Sequence, residues 1–529
     1  MVSDKEFDKV SKEMFYKIMD YNPTYATFLG LHEYDDKMPS LKREIVLEQI
    51  ELFKKYLKVL EDMDDTDLDF DRKIDRKLAI DTLKLHVFEL EEIRNWEKNP
   101  DVSDVIGGAL FPLFTREFAP FEERVQNMIK RLEKTPKMIE EAKTCITKPV
   151  KLWKEMTIEA CQQMPMFFMI IANAIKNPEL KEKFAKTAEE TTTALQKYIE
   201  WVKTLETTDE YAIGKEKFEK LMELRGLWKS DKILALGEKY LRDEKEKLLK
   251  ICKEIDPNAK WQDVVEKVKS EKPKNFKEVI ENYRKSTQRA KEFVIKHDIA
   301  TMPENETLEI IETPSYLRHV IPFAALFSPG KFEKIKKSIY IVTPYEEEEM
   351  LKEHSYPSII NTSVHEAYPG HHLQLTCAAY NPSYVRIFGH GAEFVEGWAH
   401  YCEELMGEKG FSQDPKVDLI RTTDIIWRAC RIIVDIKLSC GEMSFDEAVE
   451  FLVANTGMKK DAAVAEVKRY TQNPGYQLSY LLGKHLIKEL KKEYEEFKGD
   501  KFSEKEFHDK MLYAGSLPIK YHREILLSR

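Results

Sequence analysis

Leucine, isoleucine, valine and phenylalanine recur every three or four residues through long charged stretches of this chain. That spacing gathers the apolar side chains on one face of an α-helix and leaves lysine and glutamate on the other. Helices are expected near residues 3–20, 41–63, 72–95, 119–135, 180–205, 231–254 and 276–297. Only 19 Gly and 22 Pro interrupt 529 residues, so few turns are available to break such helices. Two segments depart from the pattern, TLEIIET (307–313) and KSIYIVTP (337–344), whose β-branched residues suit short strands. Further on, SFDE at Ser444 to Glu447 reads as a capping box that starts a helix, and Gly457 as its stop. The expected fold is mainly α: a large multi-helix body with an active-site cleft and a small β element just before the segment HEAYPGHH. No linker rich in Gly, Ser or Pro divides it, so a single domain over 1–529 is favoured, with lobes 1–300 and 301–529 as the alternative.

The charge pattern narrows the partners. Lys and Arg total 84 against 94 Asp and Glu, a net charge of -10, which argues against nucleic acid. The interspersed signs fit solvated helix faces. The start of the chain has no apolar h-region and no run of eighteen apolar residues follows, so neither a signal peptide nor a membrane span is expected, and the protein is placed in the cytoplasm. Seven scattered cysteines without CxxC spacing read as reduced core residues. The oligomeric state is not legible.

Histidine is scarce, 13 in all, yet His365, His371, His372, His390 and His400 lie close together among Glu366, Glu393, Glu396, Glu403 and Glu404. Imidazole and carboxylate are the ligands of catalytic zinc, which takes three protein ligands and leaves the fourth position to water. The common HExxH arrangement sets its histidines at i and i+4 on one helix face, with the glutamate as general base. Here position 369 is proline, and the next candidates are His371 and His372. A straight helix would carry i and i+7 roughly 10.5 Å apart along its axis, too far for two bonds of about 2 Å to one ion. The helix must therefore deform. Pro369 cannot donate to the His365 carbonyl and Gly370 tolerates unusual torsions, so a bulge of two extra residues would return His371 to the i+4 role. His371 is preferred; His372 would then point away, toward a supporting or substrate-facing role, although it stays open as the alternative ligand. The third ligand is expected from FVEGWAHYCEEL, where Gly397 beside Glu396 and the bulky Trp398 and Tyr401 point to a tightly packed neighbourhood in which an unpaired carboxylate is costly. Glu393, Glu403 and Glu404 read as helix-surface charge, Glu404 above all.

Together TSVHEAYPGHHLQ, VEGWAHYCEEL and NPGYQLSYLLGK resemble the DUF885 family, and the likeness extends to YNPTYATFLGLHEYDD, TPSYLRHVIP and FHDKMLYAGSLPI. The resemblance implies a helical, gluzincin-like zinc peptidase distantly similar to Taq-type carboxypeptidases. It assigns His365, His371 and Glu396 to Zn2+, Glu366 to the base, and, through the family's PGxxxSY segment, Tyr480 to oxyanion stabilisation. One departure stands out: where the family tends toward RLVVDTGLH, this chain reads RIIVDIKLS, with Lys437 and Ser439 in place of a Gly and a His. Arg428, Arg431 and Asp435 remain and read first as a buried ion-pair network, second as a substrate clamp. Arg421 and Arg318 are further candidates to grip a peptide carboxylate. The expected function is a zinc-dependent hydrolase acting on a peptide or small amide, of carboxypeptidase or dipeptidase type. The alternatives are a zinc hydrolase of other amides or esters, and a helical binding protein without catalysis.

Overall fold

The computed structural model describes residues 2–313, 318, 321, 323–344 and 348–528. Most of TPSYLRHVIP falls outside them. The chain is mainly helical, with one three-stranded sheet among the described residues. It divides into two compact units, Met1–Tyr211 with Gly330–Lys334, and Ala212–Pro329 with Ile335–Arg529. The boundary falls at 211 rather than near 300. Helices between those positions belong with the later ones: Ser230–Ile255 (α1) lies along Pro415–Cys440 (α6), Gly237 so close to Ile432 that a Cβ there would stand 2.7 Å from its Cγ2.

The first unit holds the helices Asp4–Tyr21, Arg43–Glu61, Phe70–Phe88, Phe121–Ala142 and Pro178–Thr204, each within a few residues of its expected place except that Phe70–Phe88 gives way to a π turn, Glu89–Ile93, and Phe121–Ala142 continues through Pro136 beyond its expected end at 135. Ser103–Thr115 and Lys151–Ala174 were not legible. The first is apolar nearly all round and contains Gly107, Gly108 and Pro112, so it shows no helical stripe. The second runs unbroken through Pro165, a residue that reads in the sequence as a stop.

In the second unit the sheet runs β1 (Glu306–Glu312), β2 (Ala324–Phe327) and β3 (Lys336–Val342) in the order β1-β3-β2. β1 and β3 pair in parallel from Glu306 with Lys336, and β2 joins β3 antiparallel. The expected strands are thus present; β2, four residues long, is too short to announce itself. Phe276–Lys296 (α2) backs the sheet through Val279 and Tyr283, whose ring meets Tyr340 edge-on at 5.5 Å.

Tyr356–Glu366 (α3) and His371–Tyr380 (α4) follow β3, then Ala392–Glu408 (α5), α6, Ser479–Lys498 (α7) and Glu504–Ala514 (α8). α5 and α7 cross at Gly397 and Gly483. A Cβ on Gly397 would lie 2.4 Å from the Gly483 carbonyl carbon, and one on Gly483 would lie 1.8 Å from the Glu393 carbonyl oxygen. Between these helices main chain touches main chain. The capping box at Ser444 and Glu447 is present, and the helix it starts ends at Gly457 in the left-handed conformation. All seven cysteines are free, six of them buried. No helix of the described residues is long and apolar enough to cross a membrane.

Candidate metal centre

The segment HEAYPGHH is an interrupted helix. α3 stops at Glu366 and α4 begins at His371, with Ala367 to Gly370 between them. Across the break the hydrogen-bond ladder lengthens by two residues. The Gly370 N–H donates to the Val364 carbonyl and the Leu373 N–H to the Ala367 carbonyl, each six residues back instead of four. That is the two-residue insertion the spacing demanded. The Trp398 indole N–H from α5 donates to the Pro369 carbonyl at 2.8 Å and pins the loop.

The deformation brings His365 and His371 edge to face, ring centroids 4.8 Å apart. Glu396 of α5 completes a group whose ligand atoms all lie within 4.8 Å of one another. His371 Nε2 stands 3.3 Å from Glu396 Oε2. A charge-assisted hydrogen bond settles nearer 2.7–2.9 Å, whereas two ligands with bonds of about 2.0–2.1 Å to one tetrahedral ion stand roughly 3.4 Å apart. The separation therefore fits a shared cation better than a direct bond. His365 donates from Nδ1 to Glu403 Oε1 at 2.6 Å, which fixes its tautomer and leaves the Nε2 lone pair able to bind a cation. Two imidazoles and a carboxylate form a donor set suited to zinc. Burial pushes the Glu396 carboxyl up, but His371, His365 and Tyr476 outweigh it and hold the group at about 2.

His372 takes no part in this group. Its Nε2–H donates to Glu306 Oε2 at 2.7 Å, and Nδ1 pairs with Ser338 Oγ at 2.8 Å. Tyr368 and Lys291 hold the same Glu306. The residue thus ties the metal loop to β1 and β3. Glu366 closes α3 beside the ligands, near enough to His371 to favour its charged form and near the Tyr340 phenol.

Other expectations need correction. Glu393, Glu403 and Glu404 are not surface charges. Glu393, 1% exposed, pairs with Arg225 at 3.1 Å. Glu403, 2% exposed, also accepts from Asn361 at 3.0 Å, and Glu404 pairs with the buried Lys484. Glu396, His400 and Glu403 are spaced i, i+4 and i+7 on a mostly apolar helix, a buried polar stripe that the sequence does display. Tyr480 does not reach the ligands as the nearest phenol. Tyr476 donates its hydroxyl to Glu396 Oε1 at 2.7 Å, and Tyr480 lies edge-on against the Tyr476 ring. Both tyrosines flank the turn after Gly475, and nothing in the sequence ranks one above the other.

Arg428, Arg431 and Asp435 do not form one network. Arg431 binds Tyr470 at 2.9 Å and Glu466 at 3.0 Å. Asp435 instead accepts the backbone N–H groups of Gly475 at 2.8 Å and Leu478 at 3.0 Å, bracing the turn that carries Tyr476. Burial raises its carboxyl to about 6 against those donors. Ser439 donates from Oγ to Asp435 at 3.3 Å. Arg421 is taken up by Asp418 and the Glu403 carbonyl, and Arg318 by Glu312 and the Thr313 carbonyl.

A family model described as a bacterial protein of unknown function, DUF885, matches residues 23–526. No curated protein matches the chain. A structure from Shewanella oneidensis, described as a "putative lipoprotein of unknown function", is 21% identical, covers 100% of both chains and superposes with a TM-score of 0.80. Another, described as "the putative lipoprotein from Colwellia psychrerythraea", is 18% identical over 99% of both chains with a TM-score of 0.86. These likenesses establish the fold. They also overturn the cytoplasmic placement: both are described as lipoproteins.

Proposed function

We propose that this chain, which belongs to the DUF885 family, is a zinc-dependent hydrolase of the gluzincin-like kind whose substrates are peptides or small amides. The observation that carries the reading is the close approach of His365, His371 and Glu396 across an interrupted helix. His365, His371 and Glu396 would hold the ion, which when bound supplies a Lewis acid that acidifies water and polarises a carbonyl. Glu366 then accepts a proton from the attacking water as the new C–O bond forms, and returns it to the departing nitrogen as the C–N bond breaks. Tyr480 donates to the oxyanion as its charge develops, while Tyr476 holds Glu396 in place. Glu403 and Asn361 orient His365 from behind.

Glu366→Gln is expected to keep one zinc per chain yet lose roughly 10²–10⁴-fold in turnover of a mixed peptide pool. Undiminished turnover would end the assignment. The two adjacent histidines should separate cleanly. His371→Ala is expected to lose stoichiometric zinc by elemental analysis, whereas His372→Ala, which breaks only the tie to Glu306 and Ser338, is expected to retain it. Equal loss from both would contradict the ligand choice.

A further inference from the structure

Arg428 lies on α6 beside Glu403 and is only 8% exposed. A guanidinium so enclosed ordinarily saturates its five N–H groups with planar partners. One turn along, Arg431 makes side-chain bonds from two of its nitrogens, to Tyr470 and Glu466. Arg428 does not. Its one hydrogen bond to a described residue goes to the backbone carbonyl of Asp424 at 3.2 Å, and the nearest carboxylates, Asp424 and Glu403, stand off at 3.7 and 3.8 Å. Among the described residues its Nε–H has no partner, and neither has the indole N–H of the neighbouring Trp427.

Two enclosed donors without acceptors, on adjacent residues, each cost about 1–3 kcal/mol unless a ligand meets them. Both can only donate, so the missing ligand is an acceptor, and the cationic guanidinium favours an anion. The place is set by Glu403. The same Oε1 that takes the His365 proton faces Arg428, so the guanidinium stands one carboxylate away from a metal ligand. Tyr480, the oxyanion donor, has its ring 5.9 Å from Arg428. An anion held here therefore belongs to a group close to the scissile bond. In a peptide the α-carboxylate of the last residue is such a group, about one Cα–Cα step of 3.8 Å beyond the bond that releases that residue.

We propose that Arg428, with the Trp427 N–H, receives the free α-carboxylate of a peptide's C-terminal residue and makes the protein a carboxypeptidase. The inference rests on the hydrolase reading above and narrows it to one class of peptide end. Arg421 and Arg318, the other candidates, are already engaged.

Calorimetric titration with N-acetyl-leucine and N-acetyl-leucinamide tests the site without turnover. The acid is expected to bind at least tenfold tighter than the amide, Arg428→Gln to erase that preference, and Arg428→Lys to restore part of it. Trp427→Phe, which keeps the ring and removes the N–H, is expected to weaken the acid several-fold and carries the test should the arginine variants fail to fold. Equal binding of acid and amide, or a preference that survives Arg428→Gln, overturns the proposal. Zinc-loaded protein should release the last residue from a free-acid peptide and leave its C-terminal amide intact. Cleavage of both alike overturns the carboxylate site and leaves the peptidase standing. Cleavage of neither, with zinc bound, overturns the peptidase reading and this inference with it.

Discussion

Gly370→Ala is expected to lower zinc affinity at least a hundredfold and to destabilise the second unit by more than the ~1–3 kcal/mol of ordinary overpacking. A methyl group there would lie 1.9 Å from the His365 carbonyl oxygen and 2.3 Å from that of Val364. Both obstacles are main chain, so no side-chain rotation relieves the clash. The loop must open, and it is the loop that carries His365 and His371 to each other. Gly107→Ala and Gly108→Ala are the controls, since a Cβ at either meets nothing within 4 Å. Zinc titration against a chelator, with thermal melting of all three variants, checks the prediction. A Gly370→Ala protein that binds zinc like its parent would show that the break is not what assembles the site.

The second large effect concerns acid. His354, His400, His508 and His522 are fully enclosed, and burial depresses their pKa values to about 4, 3, 4 and 3. His400 and His522 lack hydrogen bonds on either nitrogen among the described residues. An unfolded histidine titrates near ~6.5, so below that pH the unfolded chain takes up protons that the folded one refuses. Stability is therefore intact above about 6.5 and is lost as pH falls toward the folded values. At pH 5 each histidine costs roughly 2 kcal/mol. Asp435, raised to about 6, works in the opposite sense by roughly 1 kcal/mol, and the raised His371 also opposes the trend. Glu306 and Glu396, held at about 2, lose their contribution only below the ordinary carboxylate range. The net loss of several kcal/mol is a large fraction of a typical folding free energy. All four histidines belong to the second unit, which is expected to melt first. Denaturant titrations of zinc-free protein at pH 7 and 5 test this. His522→Phe, set against the Phe394 ring at 4.1 Å, should make the pH dependence shallower by about one histidine's share. Equal stability at the two pH values would refute the account.

What the sequence disclosed, and what it hid, follow from range. Periodicity is local, and it located the amphipathic helices, the capped start at Ser444 and two of the three strands. Ligand spacing is nearly local, and the argument from rise per residue was enough to require a break before His371. The partners that support His365 and Glu396 are remote. Asn361 reaches Glu403 from another helix, Asp435 braces a turn forty residues away, and Tyr476 meets Glu396 across eighty. Nothing in a one-dimensional pattern distinguishes Tyr476 from Tyr480. The location failed for a different reason: a missing apolar segment was read as a statement about compartment, and the relatives described as lipoproteins overrule it.

The crossing at Gly397 and Gly483 has a bearing on how such a site can change. Glu396 precedes one of these glycines and Tyr480 lies three residues before the other. Because the helices meet backbone to backbone, the span between that carboxylate and that phenol is gauged by main chain alone. Side chains elsewhere on either helix can be exchanged to suit new substrates while the gauge keeps its setting.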